Sequence, residues 1–538
     1  FQFLPSSRRL VLLPSRHHTM VYTLKYYLTV VTVVLGGSAQ FYSYGVVNPA
    51  QRLIMDWINQ TYYDRNGDAL GVTELNLFWS FVVSSIAVGA IVGALLTRVI
   101  SERCGRRNGL ILNGAVNVVG AVLELLAKPT RSPELLLVGR FVLGVNMGLT
   151  SGLVPMYLME ITPASSRGVA GTLHQVAVAF SDWFSLLIGL PEVLGSAVLW
   201  PFAFAFPGLF ALLLVLVLPF SPESPKYLMS TKKDRMGALD ACRSLVGHDA
   251  AQHMYEELVK EHIQEQDQSS ATFRELFTSP QLRVPLAAAG IVMLAQQFTG
   301  CTAVFAYSTD MFVNAKLDQV TARFATLAIG IAYFVFTCSA PLLIERVGRR
   351  PLLLFQLSAC FVSLLALTIF TGLQTYSKVS WASYGMIGAL VVYMCVYGVG
   401  SPIPWMITGE LFNQRFRSCA VTVSVFIAWF LAFLTSTAYL PFSQLVGVTF
   451  SYLPFLVGLL VSTTVMFFLL PETRHRAPSE ILEEVRERSS SLASGRPWEA
   501  VTHTRPTSRQ EMQRLIEHSD EHSYASIENV SSPTEDRY

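Results

Sequence analysis

The sequence predicts an all-α membrane protein of twelve transmembrane helices, arranged as two parallel six-helix pseudo-repeats with a helical insert between them. Three observations carry this. First, only 14% of the 538 residues are charged and 52% are hydrophobic, where soluble domains hold about 25% charged residues. Second, the charges are unevenly spread: 22 of the 76 fall in the last 67 positions. A chain that apolar over its first 471 residues is a polytopic membrane protein with a polar tail. Third, short charged motifs recur in the same order in the two halves. The composition excludes a soluble enzyme, a secreted disulfide scaffold and a nucleic-acid binder.

Crossing roughly 30 Å of hydrocarbon takes about 20 apolar residues. Such windows lie near 26–48, 76–98, 109–128, 134–158, 169–190 and 198–220, and again near 284–312, 322–344, 351–373, 381–408, 418–440 and 449–470. The expected organisation is a leader over 1–25, a six-helix half over 26–220, a polar helix-prone linker over 221–283, a second half over 284–471, and a tail over 472–538 that is too polar to build a core. Phe1 to Leu13 has no clean apolar core followed by a small-residue cleavage site, so no signal peptide is expected, and Met20 is a candidate start. The seven cysteines form no close CxxC pair and read as packed or reduced thiols.

Orientation follows from the Lys and Arg bias. With both termini on one side, that side carries 22 basic residues in the leader, loops and linker plus nine in the tail, against seven opposite; Arg140 lies within a span. Both termini are therefore expected in the cytoplasm. The Asn59-Gln60-Thr61 sequon falls after the first span, in an outer loop by this topology, which makes Asn59 a candidate glycosylation site.

The repeat is read from the helix ends. Arg103-Cys104-Gly105-Arg106-Arg107 follows the second span and Glu345-Arg346-Val347-Gly348-Arg349-Arg350 the eighth. Glu160 and Arg167 stand seven apart after the fourth span, and Glu410 and Arg417 seven apart after the tenth. Pro222-Glu223-Ser224 closes the sixth span and Pro471-Glu472-Thr473 the twelfth. The offsets are 243, 250, 250 and 249 residues. Two parallel six-helix halves are the architecture in which a central site opens alternately to each side of the membrane. Arginine and carboxylate at helix ends are expected to pair across the halves while the cytoplasmic side is shut, and to part when it opens. The plainer alternative is that basic loop residues only fix topology.

Read together, RCGRR, GRFVLGVNMGLTSGLVPMYLMEITPASSRG, PESPKYL, QQFTG, ERVGRR, SPIPW, GELFNQRFR and PET resemble the sugar porter family of the major facilitator superfamily, and most of all the animal facilitative hexose transporters. The match runs from about Val30 to Thr473. The resemblance implies a cytoplasmic charge network of Arg106, Arg107, Glu160, Arg167, Glu223, Arg349, Arg350, Glu410 and Arg417.

Polar side chains in hydrocarbon are costly and turn to a packed interior or a wet cavity. Gln175 in the fifth span and the adjacent Gln296 and Gln297 in the seventh offer amide donors and acceptors without charge, which suits a neutral polyhydroxylated ligand. Adjacent residues point about 100° apart on a helix, so one of the pair is free to serve packing; interhelical hydrogen-bond glue is the plainer reading of each. Gly300 allows unwinding beside them, and Pro402 and Pro404 interrupt the tenth helix ahead of Trp405, whose ring offers a face to sugar C–H groups. The resemblance implies that Gln175, Gln296, Gln297 and Trp405 line the sugar site. Elsewhere this chain departs from the family: Thr302 stands for an asparagine after QQxxG, Tyr333 for an asparagine of the eighth span, Tyr397 for a glutamate of glucose carriers, Ala428 for an asparagine, and Met293-Leu294-Ala295 for Gln-Leu-Ser. The expected pocket, with Thr302, Tyr333 and Tyr397 in it, is less polar and more aromatic than a glucose site. A hexose such as glucose or fructose fits; urate or another small solute on the same fold, or a non-transporting nutrient sensor, are the alternatives.

Proton-coupled sugar porters carry an acid in the first span, near the position of Ser43, and no Asp or Glu occurs between Lys25 and Gln51. Recognition by amides without an intramembrane acid implies downhill uniport. No GxxxxGK[ST] phosphate loop supports ATP-driven pumping. The ten histidines lack ligand spacing, His174 being the one expected in the membrane, so no metal and no cofactor are expected, and no catalytic constellation marks an enzyme. The partners are then the bilayer, a small neutral solute and, through Glu511-Met512-Gln513-Arg514-Leu515-Ile516 and Tyr524-Ala525-Ser526-Ile527, trafficking adaptors that read acidic-dileucine and tyrosine signals. These point to the plasma membrane with endosomal cycling.

Overall fold

A computed structural model describes residues 22–38, 42–163, 166–266, 272–314, 316–379, 381–474, 476 and 478–494. These are helical with no strand among them. The first half holds α1 (Leu24–Ser38), α2 (Tyr42–Gly45), α3 (Val47–Asn66), α4 (Val72–Arg103), α5 (Arg106–Ala127), α6 (Pro133–Ile161), α7 (Arg167–Ile188), α8 (Trp200–Ala205) and α9 (Pro207–Val217). The insert folds as α10 (Pro225–Ser230), α11 (Arg235–Gln266) and α12 (Phe273–Thr278). The second half holds α13 (Pro280–Phe298), α14 (Cys301–Asn314), α15 (Gln319–Val347), α16 (Arg349–Ser377), α17 (Ala382–Gly400), α18 (Ile403–Glu410), α19 (Gln414–Val446) and α20 (Leu453–Leu469), followed by α21 (Pro478–Ser494). Residues Phe1–Arg486 form one compact unit; of the second, Glu487–Tyr538, the end of α21 is described.

Among the described residues, ten helical runs are long and apolar enough to cross a membrane, and α1–α2 with α3 make a bent eleventh. The fifth predicted span is α7, whose apolar stretch Leu173–Ile188 is shorter. The breaks fall where the residues demand them. Gly300 takes φ +80° between α13 and α14, a left-handed conformation open to glycine. Ser401 and Pro402 separate α17 from α18. At the start of α15 the Asp318 carboxylate accepts the Thr321 N–H at 3.0 Å, and the hydrogen bonding to Thr321 holds that carboxyl below its ordinary range.

Within the first half α4 and α6 pack on each other most closely. A Cβ on Gly89 would come within 2.1 Å of the Phe141 carbonyl oxygen, and one on Gly144 within 2.2 Å of the Ile86 carbonyl oxygen. Glycine lets these backbones touch, which is how helices gain contact where lipid supplies no hydrophobic drive. The two halves meet through α4 on α19 and α7 on α15, and α3 reaches α14 at one end.

Candidate functional site

The sequence repeat is also a hydrogen-bond repeat. Gly105 (φ +92°) and Gly348 (φ +106°) turn the chain into α5 and α16. Glu223 Oε1 accepts the N–H groups of Arg106 and Arg107, both at 2.9 Å. Glu472 accepts those of Arg349 and Arg350 at 3.0 and 3.1 Å. Each carboxylate thus satisfies the open N–H groups of a helix start and meets its positive dipole end. Above it, Arg106 forks onto Glu160 at 2.9 and 3.0 Å, and Ser224 Oγ donates to the same carboxylate. In the second half Arg349 Nε reaches Glu410 Oε1 at 3.4 Å and its Nη2 reaches Glu345 at 3.2 Å, while Thr473 Oγ1 donates to Glu410.

The expected pairing across the halves belongs to the state in which the cytoplasmic side is shut; here each charge set closes on itself. Arg106, Glu160 and Glu223 close within the first half, and Arg349, Glu410 and Glu472 within the second; among the described residues no ion pair joins the two sets. The physical reason is local: the carboxylates are consumed by helix starts and by arginines one loop away. Arg107 donates to the Ser221 carbonyl at 3.1 Å and Arg350 to the Phe467 carbonyl at 2.8 Å. Arg417 is exposed and joins neither set, and the side chain of Arg167, which opens α7, lies outside the described residues.

At the opposite end of the helices the halves are directly joined, by residues that the sequence reading passed over. Asn48 on α3 donates Nδ2 to the Phe305 carbonyl and to Ser308 Oγ, both at 2.7 Å, and its Oδ1 accepts the Thr309 N–H at 3.0 Å. Asn48 is 1% exposed. Beside it Arg52 lies 3.6 Å from Asp310. An asparagine at the very end of an apolar window was the available signal.

Midway along the second half, the adjacent glutamines divide their tasks. Gln296 is buried; its Nε2 donates to the Tyr397 hydroxyl at 2.9 Å and its Oε1 accepts from Gln356 at 3.3 Å. Gln297 is half-buried, and its Oε1 accepts the Thr302 hydroxyl at 3.0 Å. Tyr333 stands 5.8 Å from the Tyr397 ring and 5.2 Å from Phe305, so the two tyrosines make a polar-aromatic wall beside Gln296, with Thr302 on the neighbouring Gln297. Trp405 is half-buried on α18, 6.5 Å from Trp429. Gln175 is half-buried on α7 in the other half.

The expectation of an interior without carboxyl groups is overturned. Glu124 on α5 and Arg140 on α6 are both 0% exposed. Arg140 donates Nη1 to the Ser43 carbonyl at 2.5 Å and Nε to the Val82 carbonyl at 3.3 Å, while both Glu124 carboxyl oxygens are without a hydrogen-bond partner among the described residues. Asp182 on α7 is 7% exposed. A count of acids in every apolar window, not only the first, would have found Glu124 and Asp182.

Asn59 lies on α3 and not in a loop, its Oδ1 accepting the Leu70 N–H at 2.9 Å. The expected sorting motifs and most of the leader lie outside the described residues. No group of three or more His, Cys, Asp or Glu able to hold a metal occurs among the described residues.

Comparison with known proteins agrees with this architecture. The model of the family described as "Sugar (and other) transporter" matches residues 29–484. Facilitated glucose transporter member 1 of Gallus gallus is 32% identical over 465 residues, covering 86% of this chain and 94% of that protein. Facilitated glucose transporter member 4 of Mus musculus is 34% identical over 470 residues, covering 86% and 91%. Among solved structures, the inward-open xylose transporter XylE from E. coli superposes with a TM-score of 0.68 at 21% identity, covering 86% of this chain and 99% of that one; a partially occluded inward-open form gives 0.67 at 20% identity over 83% and 100%. Two halves with repeated helix-start carboxylates, and a match over most of the length, lead to one conclusion: this chain belongs to the sugar transporter family and has the major facilitator fold.

Proposed function

We propose that the protein is a facilitative uniporter that moves a monosaccharide, a hexose such as glucose or fructose, through the membrane by alternating access. The observation that carries the reading is the broken helix at Gly300: it presents the half-buried Gln297, tied to Thr302, beside a wall of Tyr333 and Tyr397. Gln175 from the first half and Trp405 complete the proposed site, which offers amides for hydroxyls and rings for C–H faces. The named curated relatives are glucose transporters, which supports a hexose.

In this reading both termini, the insert and the arginine-rich helix ends are cytoplasmic, and the carrier sits in the plasma membrane. The Asn48 contacts then close the outer side, and the charge sets stabilise each half as a rigid body that rocks against the other. Uniport is supported by the first span, where Arg140 meets the backbone carbonyl of Ser43 and no acid stands. The aromatic wall keeps urate in view as a second solute.

Uptake into proteoliposomes of D-glucose, D-fructose, D-galactose and urate tests the reading. Saturable downhill flux of a hexose is expected. Flux of urate alone would replace the substrate, binding without flux of any solute would make the protein a sensor, and uphill accumulation under an imposed pH gradient would overturn uniport.

A further inference from the structure

Asp182 is the carboxyl that the proposed function leaves unused. It follows Gln175 by seven residues on α7. Seven residues turn a helix through about 700°, some 20° short of two turns, so the two side chains share one face about 10.5 Å apart along the axis. Ser185 Oγ donates to the Asp182 backbone carbonyl at 2.6 Å and not to its side chain. The Asp182 carboxyl has no hydrogen-bond or ion-pair partner among the described residues, although the residue is 7% exposed. Its carboxyl oxygens are not fully enclosed, so a donor entering between the helices can reach them.

The place of the carboxyl says where that donor comes from. α7 packs on α15 across the seam between the halves, where Trp183, next to Asp182, stacks on Phe334, next to Tyr333, at 5.9 Å. Tyr333 adjoins Tyr397, which accepts from Gln296. Asp182 therefore brings an acceptor from the first half to the polar-aromatic wall of the second, on the same helix face as Gln175. An amide both donates and accepts, whereas an ionised carboxylate accepts only, through two oxygens. Neighbouring hydroxyls on a sugar ring supply two donors side by side.

We propose that Asp182 contacts the transported solute and determines specificity, its carboxyl accepting hydrogen bonds from adjacent hydroxyls of a neutral sugar. This rests on the sugar-transport reading above and adds to it a solute with a vicinal diol turned toward α7.

The test uses the full-length chain in proteoliposomes, with D-glucose, D-fructose and their monodeoxy series as probes. In the unaltered protein, removing the contacted hydroxyl should raise KM at least tenfold. In Asp182→Ile the KM of the parent sugar should rise at least tenfold, and the penalty for that one deoxy analogue should vanish. A penalty at every position unchanged from the unaltered protein, whatever the overall KM, would assign Asp182 to packing and overturn the proposal. Should Asp182→Ile fail to fold, the near-isosteric Asp182→Asn decides: the penalty at the contacted hydroxyl should change at least threefold, and an unchanged pattern overturns the proposal equally. Absence of any sugar flux in the unaltered protein is a different result, since it removes the proposed function itself.

Discussion

Glu223 Oε1 accepts the backbone N–H of Arg106 at 2.9 Å, joining the end of the first half to the start of α5 across 117 residues of chain. The same oxygen takes the Arg107 and Ser224 N–H groups at 2.9 Å each. Hydrogen bonds to a charged acceptor contribute about 1.5–3 kcal/mol, and removing the acceptor leaves donors open. Glu223→Ala should therefore destabilise the purified carrier by about 2–4 kcal/mol, and Glu472→Ala by a similar amount through the equivalent contacts in the second half. Thermal unfolding in detergent measures both. An unchanged Tm in either variant would mean that solvent replaces the carboxylate at that helix start.

Much of this was legible from the sequence. The motif offsets at Arg106 and Arg349, and at Glu223 and Glu472, identified the equivalent helix starts because a glycine followed by two arginines recurs at a fixed offset. The glycine and proline breaks at Gly300 and Pro402 were legible for the same reason. Partner choice was not. Whether Glu160 meets Arg106 in its own half or an arginine in the other depends on tertiary distance, which periodicity does not encode. Asn48, Glu124 and Asp182 escaped because a single polar residue in an apolar window leaves the hydrophobic pattern intact, and its meaning lies in what the neighbouring helices place opposite it.

The two adjacent glutamines should separate by kinetics. Gln296 is held on both sides, by Tyr397 at 2.9 Å and Gln356 at 3.3 Å, and is 3% exposed. Gln296→Leu opens two buried partners and should lower stability by about 1–3 kcal/mol. Gln297 hydrogen-bonds Thr302 and keeps an exposed edge. Gln297→Leu should leave surface expression normal and raise the hexose KM about tenfold, the effect of one lost hydrogen bond of roughly 1.4 kcal/mol. The reverse assignment of KM and stability effects would exchange their roles.

Glu124 and Arg140 are two buried ionisable residues whose roles can be told apart. Both are fully buried within the first half, and Arg140 spends two of its nitrogens on the Ser43 and Val82 carbonyls. The Glu124 oxygens have no hydrogen-bond partner among the described residues, so Glu124→Leu should cost little, while Arg140→Leu opens the Ser43 and Val82 carbonyls and should cost about 1–3 kcal/mol. Thermal unfolding in detergent measures both; a large loss in Glu124→Leu would show that its carboxylate compensates the buried Arg140 charge.

Asn48 offers the most direct handle on alternating access. Its side chain makes three hydrogen bonds to α14, from the opposite half, in a site that is 1% exposed. In the proposed orientation those bonds exist only when the outer side is closed, so they bias the equilibrium between the two access states without touching the solute. At about 1 kcal/mol each, they sum to a bias of about 3 kcal/mol, which is roughly a hundredfold in population. Asn48→Ala should shift the carrier toward the outward-open state. A cysteine replacing Ser308, placed in the Asn48→Ala background, should react with a membrane-impermeant thiol reagent from outside tens of times faster than the same cysteine beside Asn48. Equal labelling rates in the two backgrounds would mean that the α3–α14 contact follows closure and does not hold it, leaving the neighbouring Arg52–Asp310 pair as the element to vary next.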